Sequence, residues 1–312
     1  MEKAKTYFLE LINPQKTQVK DKLNFVWVFG AGGGDVLSID KIDNKLNPGH
    51  PDFIPYQGIT SNRAKFIQWS KANQHDICEL LQVPEMYSDW LNFNQYTNLV
   101  DFELDITRIS LGTIIFSESI GTYTEIGMFS CLEKLHKNIL IISQEKYLRE
   151  DVTSFFNYGA IKKIEENKIS DELTNIWGLP CENKSPKELD NLFSSISDHF
   201  LDIITSYNKE TFDNTDMSHI TLLLLDLIDL FPSNNLKFYK SILNEFKINI
   251  ENNQLKRIID LLKLLGLISQ IRSGSNTLYN IKIHNYTSCI KYTANNPKRF
   301  ERSDFKISIR KK

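Results

Sequence analysis

The chain has 312 residues, 41% hydrophobic and 24% charged, with a formal net charge of −2, which is long enough for two domains with separate cores. Its four cysteines, Cys78, Cys131, Cys181 and Cys289, stand singly without metal-ligand spacing, so neither a disulfide framework nor a zinc site is expected. No basic-plus-apolar leader opens the sequence and the longest apolar run, Ile220 to Leu230, is interrupted by Asp226 and Asp229, so a cytoplasmic protein that spans no membrane is expected.

Phe25 to Phe29 reads as a first strand that feeds into Gly30-Ala31-Gly32-Gly33-Gly34-Asp35. Glycines there let backbone N–H groups approach a phosphate or a ribose, although no Walker lysine follows and the spacing only loosely resembles a dinucleotide fingerprint. Residues 40–60, rich in Asn, Pro and Gly and carrying His50, read as a long loop over a site. A helix is predicted over 61–71 with Ser61 as N-cap. Arg63 in its first turn opposes the helix dipole, which suggests that it faces an anion.

Glu103 falls on a predicted helix with the apolar face Leu99, Phe102, Ile106 and Ile109. Thr113 to Phe116 is then a short β-branched run, a buried strand. Ser117 to Gly121 turns into a helix marked by Ile126, Phe129, Leu132 and Leu135, which places Glu118 at the turn and Glu125 in the first helical turn. Open α/β sheets bind ligands outside the carboxyl ends of their strands, and a helix N-terminus there favours an ionised carboxylate suited to act as a nucleophile. A further strand at 138–142 completes a doubly wound α/β pattern with a parallel sheet over 1–180. Residues 181–217 read as a polar, then helical, linker.

From Ser218 to Lys312 there are 16 Lys and Arg against 7 Asp and Glu, leaving 21 against 32 for residues 1–217. Segments 220–230, 236–246 and 253–265 are apolar-periodic helices, and two strands joined through Arg272-Ser273-Gly274-Ser275-Asn276 follow. Three helices and a hairpin predict a winged helix over 218–312. Lys256, Arg257 and Lys263 on its third helix and Arg272 on the wing would face nucleic acid. A solvated basic tail, and a winged helix that binds protein only, stay open.

Ser117-Glu118-Ser119-Ile120-Gly121-Thr122-Tyr123-Thr124-Glu125-Ile126-Gly127-Met128-Phe129 resembles the motif Pro-Glu-Ser-Pro-Gly-Ser-x-x-Glu-Leu-Gly-x-Phe, with both prolines replaced, by Ser117 and Ile120. The motif belongs to the nucleoside deoxyribosyltransferase-like effectors of the St85 type, encoded beside bacterial retron reverse transcriptases. Gly32 to Val36, Ser61-Asn62-Arg63, Pro84-Glu85, Phe102-Glu103 and Ser154 to Gly159 extend the resemblance in order. It implies chemistry at an N-glycosidic bond. Glu125 would attack or stabilise C1′, with Glu118 and Glu103 as the second acid. The loop Gly32, Gly33, Gly34 and Asp35 would hold substrate together with Ser61, Arg63, Glu85, Gly121 and Asn157. It further implies a toxic antiviral effector with NAD or another nucleotide as substrate, no cofactor or metal, an oligomeric assembly, and a retron reverse transcriptase with its RNA–DNA product (msDNA) as partners. NAD hydrolysis leads and nucleoside or nucleotide base transfer is second. A nucleotide-sensing DNA-binding regulator is the non-enzymatic reading, although two carboxylates at a ligand edge would repel phosphate. Each acid also has a structural role open to it: Glu118 as a helix cap, Glu125 as a first-turn acid, Glu103 as a solvated surface group, and Asn157 as a turn former.

Overall fold

The computed structural model describes residues 1–31, 61–73, 75–87, 96–180, 186–206, 209–295 and 299–310. The glycines Gly32, Gly33 and Gly34, Asp35, and the loop 40–60 with His50 lie outside these residues, as does Cys181. The chain forms two compact units, one of 1–23, 89–109 and 208–312, the other of 24–88 and 110–207.

Helix α1 (Glu2–Leu11) and strand β1 (Ile12–Val19) open the first unit, and β2 (Leu23–Phe29) leads into the second. There β2 joins β3 (Leu81–Gln82), β4 (Ser110–Phe116), β5 (Ile139–Gln144) and β6 (Ile176–Leu179) in the order β3-β2-β4-β5-β6. The pairs β2 with β3, β4 with β5 and β5 with β6 are parallel. Renumbered by entry into the sheet, the order is 2-1-3-4-5, and its direction of growth reverses between β2 and β4.

The period-two pattern of the strands sends alternate side chains to opposite faces. Val26, Val28, Ile114, Phe116, Leu140 and Ile142 share one core with helix α2 (Asn62–Ala72) and with Phe193, Ile196, Phe200 and Ile203 of a 20-residue helix, Pro186–Thr205. That long helix falls in the stretch read as a linker, but its apolar stripe closes the sheet. It fits because Gly112 lacks a side chain: a Cβ there would lie 2.8 Å from the Phe200 ring and 2.9 Å from Ile204. On the other face Phe29 meets Phe129 with ring centroids 5.5 Å apart.

Phe129 belongs to the helix Ile120–Ser130, which starts one residue before Gly121 because Ser119 and Thr122 form a capping box. Glu125 is therefore in the second helical turn, not the first as the periodicity suggested. At the far end, the His136 ring nitrogen Nε2 lies 3.2 and 3.1 Å from the Phe129 and Ser130 carbonyls, covering two of the helix's terminal acceptors.

In the first unit β1 lies between β10 (Ile290–Ala294) and β7 (Glu210–Thr211), antiparallel to both. The helices Met217–Leu230, Leu236–Glu245 and Asn252–Leu264 precede the hairpin β8 (Ile268–Ser273) and β9 (Asn276–Ile281), the element order the sequence predicts. Ser273 pairs with Asn276 across a two-residue turn in which Gly274 takes φ +60°, a conformation that favours glycine. No helix among the described residues is long and apolar enough to cross a membrane.

The two aspartates that interrupt the apolar run are explained here. Asp226 is 0% exposed and accepts from the Tyr292 hydroxyl at 2.7 Å and Arg302 Nη1 at 2.8 Å. Asp229 accepts from Arg302 Nη2 and from Lys306 Nζ at 2.8 Å. Part of the basic tail thus neutralises acids of its own unit. Asp226→Ala leaves the Tyr292 phenol and Arg302 Nη1 without their carboxylate, while Arg302 keeps Asp229, and is expected to cost about 3–5 kcal/mol. Lys306→Ala, at the more exposed end of the cluster, should cost less than about 1 kcal/mol. Urea denaturation of both variants checks the order.

Candidate active site

The reversal of strand order puts the ligand crevice outside the carboxyl ends of β2 and β4, and Glu118 is the residue that spans them. Its carboxylate accepts from Ala31 N at 3.1 Å, Ser61 Oγ at 2.7 Å, Asn62 N at 2.7 Å and Arg63 N at 3.2 Å. Ser61 caps α2 by accepting from Ala64 N, so the Ser61 hydroxyl and the Glu118 carboxylate between them satisfy the first donors of that helix. Glu118 is a cap, as the structural reading allowed, but for α2 and not for the helix that follows it.

Arg63 is 1% exposed. It meets an anion, as its place in the first turn suggested, and that anion is Glu85. Nη2 donates to Glu85 Oε1 at 2.6 Å and to the Ala31 carbonyl at 3.1 Å, and Nη1 donates to Glu85 Oε2 at 3.1 Å. The stem of Arg63 lies on Gly30, where a Cβ would sit 2.4 Å from Arg63 Cβ and 2.7 Å from Cδ. Gly30 is thus required for close packing, a role with no sequence signal beyond membership of the glycine run.

Glu125 is half-buried, and its Oε2 has no hydrogen-bond partner among the described residues. Burial pushes its carboxyl up to about 7; the Arg63 charge opposes the rise and the Glu85 charge adds to it. Beyond the first turn the dipole gives little help to the ionised form, so desolvation wins.

A cleft of about 360 Å³ opens at the carboxyl ends of β4, β5 and β6, with Asn62, Glu118, Tyr123, Gln144 and Tyr147 in its wall. Tyr123 and Glu125, two residues apart on one helix, project in different directions. Neither tyrosine was singled out in the sequence, since an aromatic at a helix start carries no distinctive pattern.

Glu103 is buried on the helix Leu99–Ile109, in the first unit, whereas Glu118 and Glu125 belong to the second. Asn157 donates its amide to the carbonyls of Arg149 at 3.0 Å and Val152 at 3.2 Å, which is a turn-forming role. Arg257 Nε donates to Asp105 at 2.6 Å with its guanidinium 4.9 Å from the Tyr96 ring centroid, and Lys263 pairs with Asp260 at 3.4 Å. Lys256 and Arg272 are exposed and make no ion pair among the described residues. No cluster of three or more His, Cys, Asp and Glu able to hold a metal occurs among those residues.

Against this geometry stand two comparisons. The family model described as STM3845 retron effector protein matches residues 59–270. The chain belongs to this retron effector family. A retron Ec73 protein of Escherichia coli, named as a proposed ribosyltransferase/DNA-binding protein, is 36% identical over 110 residues, 34% of this chain and 34% of that protein. The match therefore spans about a third of the relative's length.

The Glu125 carboxyl has a consequence for stability. Its folded pKa of about 7 lies above its ordinary 4.5, so the linked stability is fully present below about pH 4.5 and is lost as pH rises through 7. Glu125→Gln, which carries no charge, should therefore melt higher than the unmodified retron effector at pH 8. The gap should close at pH 4, as measured by thermal denaturation at the two pH values.

Proposed function

We infer that the protein cleaves an N-glycosidic bond, with NAD as its leading substrate, giving ADP-ribose and nicotinamide. The observation that carries this reading is the half-buried Glu125 carboxyl, with one oxygen unpartnered among the described residues, on the helix that begins at the carboxyl end of β4. In the ionised form an oxygen of Glu125 adds to C1′ or stabilises its positive charge as the C–N bond breaks, and the bonding pair leaves with the ring nitrogen. Water then attacks C1′ and releases a proton. Nicotinamide leaves a pyridinium as a neutral molecule, so no acid has to protonate it. That suits a site in which Glu118 is occupied by four donors. Transfer of a neutral nucleobase is the second reading, and it asks for an acid, which the fully engaged Glu118 carboxylate does not supply.

On this reading the sheet unit is nucleoside deoxyribosyltransferase-like, and the three helices with their hairpin form a winged helix. The relative's printed name, which joins ribosyltransferase with DNA binding, supports the combination. The partner is then a retron reverse transcriptase with its RNA–DNA product, met through Lys256 and Arg272, since Arg257 and Lys263 are engaged inside their own unit.

Nicotinamide release, followed chromatographically with and without the reverse transcriptase complex, tests the chemistry. The rate should rise with pH through about 7 as Glu125 ionises, and Glu125→Gln should lower it by orders of magnitude with unchanged circular dichroism. Base release from nucleosides with NAD untouched would favour the second reading. Turnover of neither would favour a regulator that senses nucleotides.

Charge reversal of Lys256 and Arg272 together should weaken capture of the RNA–DNA product and flatten its salt dependence. Reversal at Lys263 should affect capture less. Pull-downs at two salt concentrations check this.

A further inference from the structure

We propose that the cleft beside Tyr123 and Tyr147 is a binding site for a neutral, planar heteroaromatic ring with hydrogen-bonding edges, such as a nucleobase or nicotinamide. The strongest indication is Ser117. It is 5% exposed, lines the cleft, and its hydroxyl has no hydrogen-bond partner among the described residues. Its nearest polar neighbour is the Tyr123 phenol, whose pKa burial raises and the Ser117 hydroxyl partly lowers. A buried hydroxyl and phenol with only each other for company keep hydrogen-bonding capacity in hand, and a ligand edge arriving in the cleft would use it.

The rest of the lining fits the same class of ligand. Phe116, Ile142 and Leu179 supply an apolar floor at the strand ends. The side-chain amides of Asn62 and Gln144, each a donor and an acceptor, make no hydrogen bond among the described residues. Tyr123 is braced edge-on by Phe156 at 4.9 Å, and the Lys146 ammonium lies 4.7 Å from the Tyr147 ring centroid. Base–aromatic stacking on such rings tolerates many bases.

Phosphate does not fit. Among the described residues the lining contains no Lys, Arg or His, and it includes the Glu118 carboxylate. The adjoining helix start is closed as well: Ser119 Oγ accepts from Thr122 N at 3.2 Å, and Thr122 Oγ1 accepts from Ser119 N at 3.0 Å. The cleft is also distinct from the Glu125 carboxyl, because Tyr123 and Glu125 leave their shared helix in different directions.

The ring can come from two sources, the substrate itself or a separate free base. Titration of Glu125→Gln protein with nicotinamide, adenine and inorganic phosphate, followed by ligand-observed NMR, tests the site without turnover and so independently of the cleavage chemistry. Both bases should bind and phosphate should not. Tyr147→Ala, added to that background, should weaken base binding about tenfold, and Tyr147→Phe should restore it to within about twofold. Ser117→Ala should weaken binding several-fold with no loss of melting temperature, which separates a ligand contact from a structural one. NAD that displaces the base assigns the ring to the substrate; NAD that binds alongside it assigns a separate ligand. Base affinity unchanged in both Tyr147→Ala and Ser117→Ala, or binding of phosphate alone, would overturn the proposal.

Discussion

The ligand edge of the sheet depends on the Glu118 carboxylate. Its two oxygens accept four donors that come from the end of β2 and from the first residues of α2, while its own backbone continues β4. Strand, loop and helix start are thereby tied at the place where the strand order reverses. Without that anion, three backbone N–H groups would have to find other partners. Arg63 adds a second tie, since it joins Ala31 to Glu85 through one guanidinium. The crevice is thus built from charge held in fixed places, which is how a site presents an electric field without having to reorganise.

Two carboxylates share the neighbourhood of that guanidinium, and they are not equivalent. Glu85 holds it with two short contacts, whereas Glu125 feels it only at a distance while losing contact with water. The difference between an engaged acid and an unengaged one is what separates a structural from a chemical role here. It also settles a competition that the sequence leaves open: a helix terminus favours ionisation, burial opposes it, and one turn of distance is enough for burial to prevail.

Much of the sheet unit was legible because β-branched runs and periodic helices carry their own signals. Phe25 to Phe29, Thr113 to Phe116 and Asn138 to Ile142 all lie in or at the ends of observed strands, and Ser61 caps its helix as expected. The start of the helix at Ile120 was misjudged because Gly121 looked like a turn, while the capping box that decides the matter uses Thr122 where the usual pattern has an acid. Strand β1 escaped notice since its sequence, INPQKTQV, is largely polar; its strand character comes from pairing on both sides, not from apolar alternation. Which helix Glu118 caps could not be read, because its partners are 55 to 87 residues away. A residue count cannot tell Arg302, matched to Asp226, from Arg272, exposed on its hairpin.

The polypeptide crosses between the two units four times, after residues 23, 88, 109 and 207. Neither unit is a continuous stretch of sequence, and β1, the middle strand of its sheet, is supplied by the opposite end of the chain from β10. A fragment beginning near residue 208 would lack the strand that separates β7 from β10 and would expose two unpaired edges to other chains. During synthesis the first residues must accordingly wait for the last before that sheet can close, so the segment proposed to bind nucleic acid belongs to a unit completed only after the sheet unit has been made.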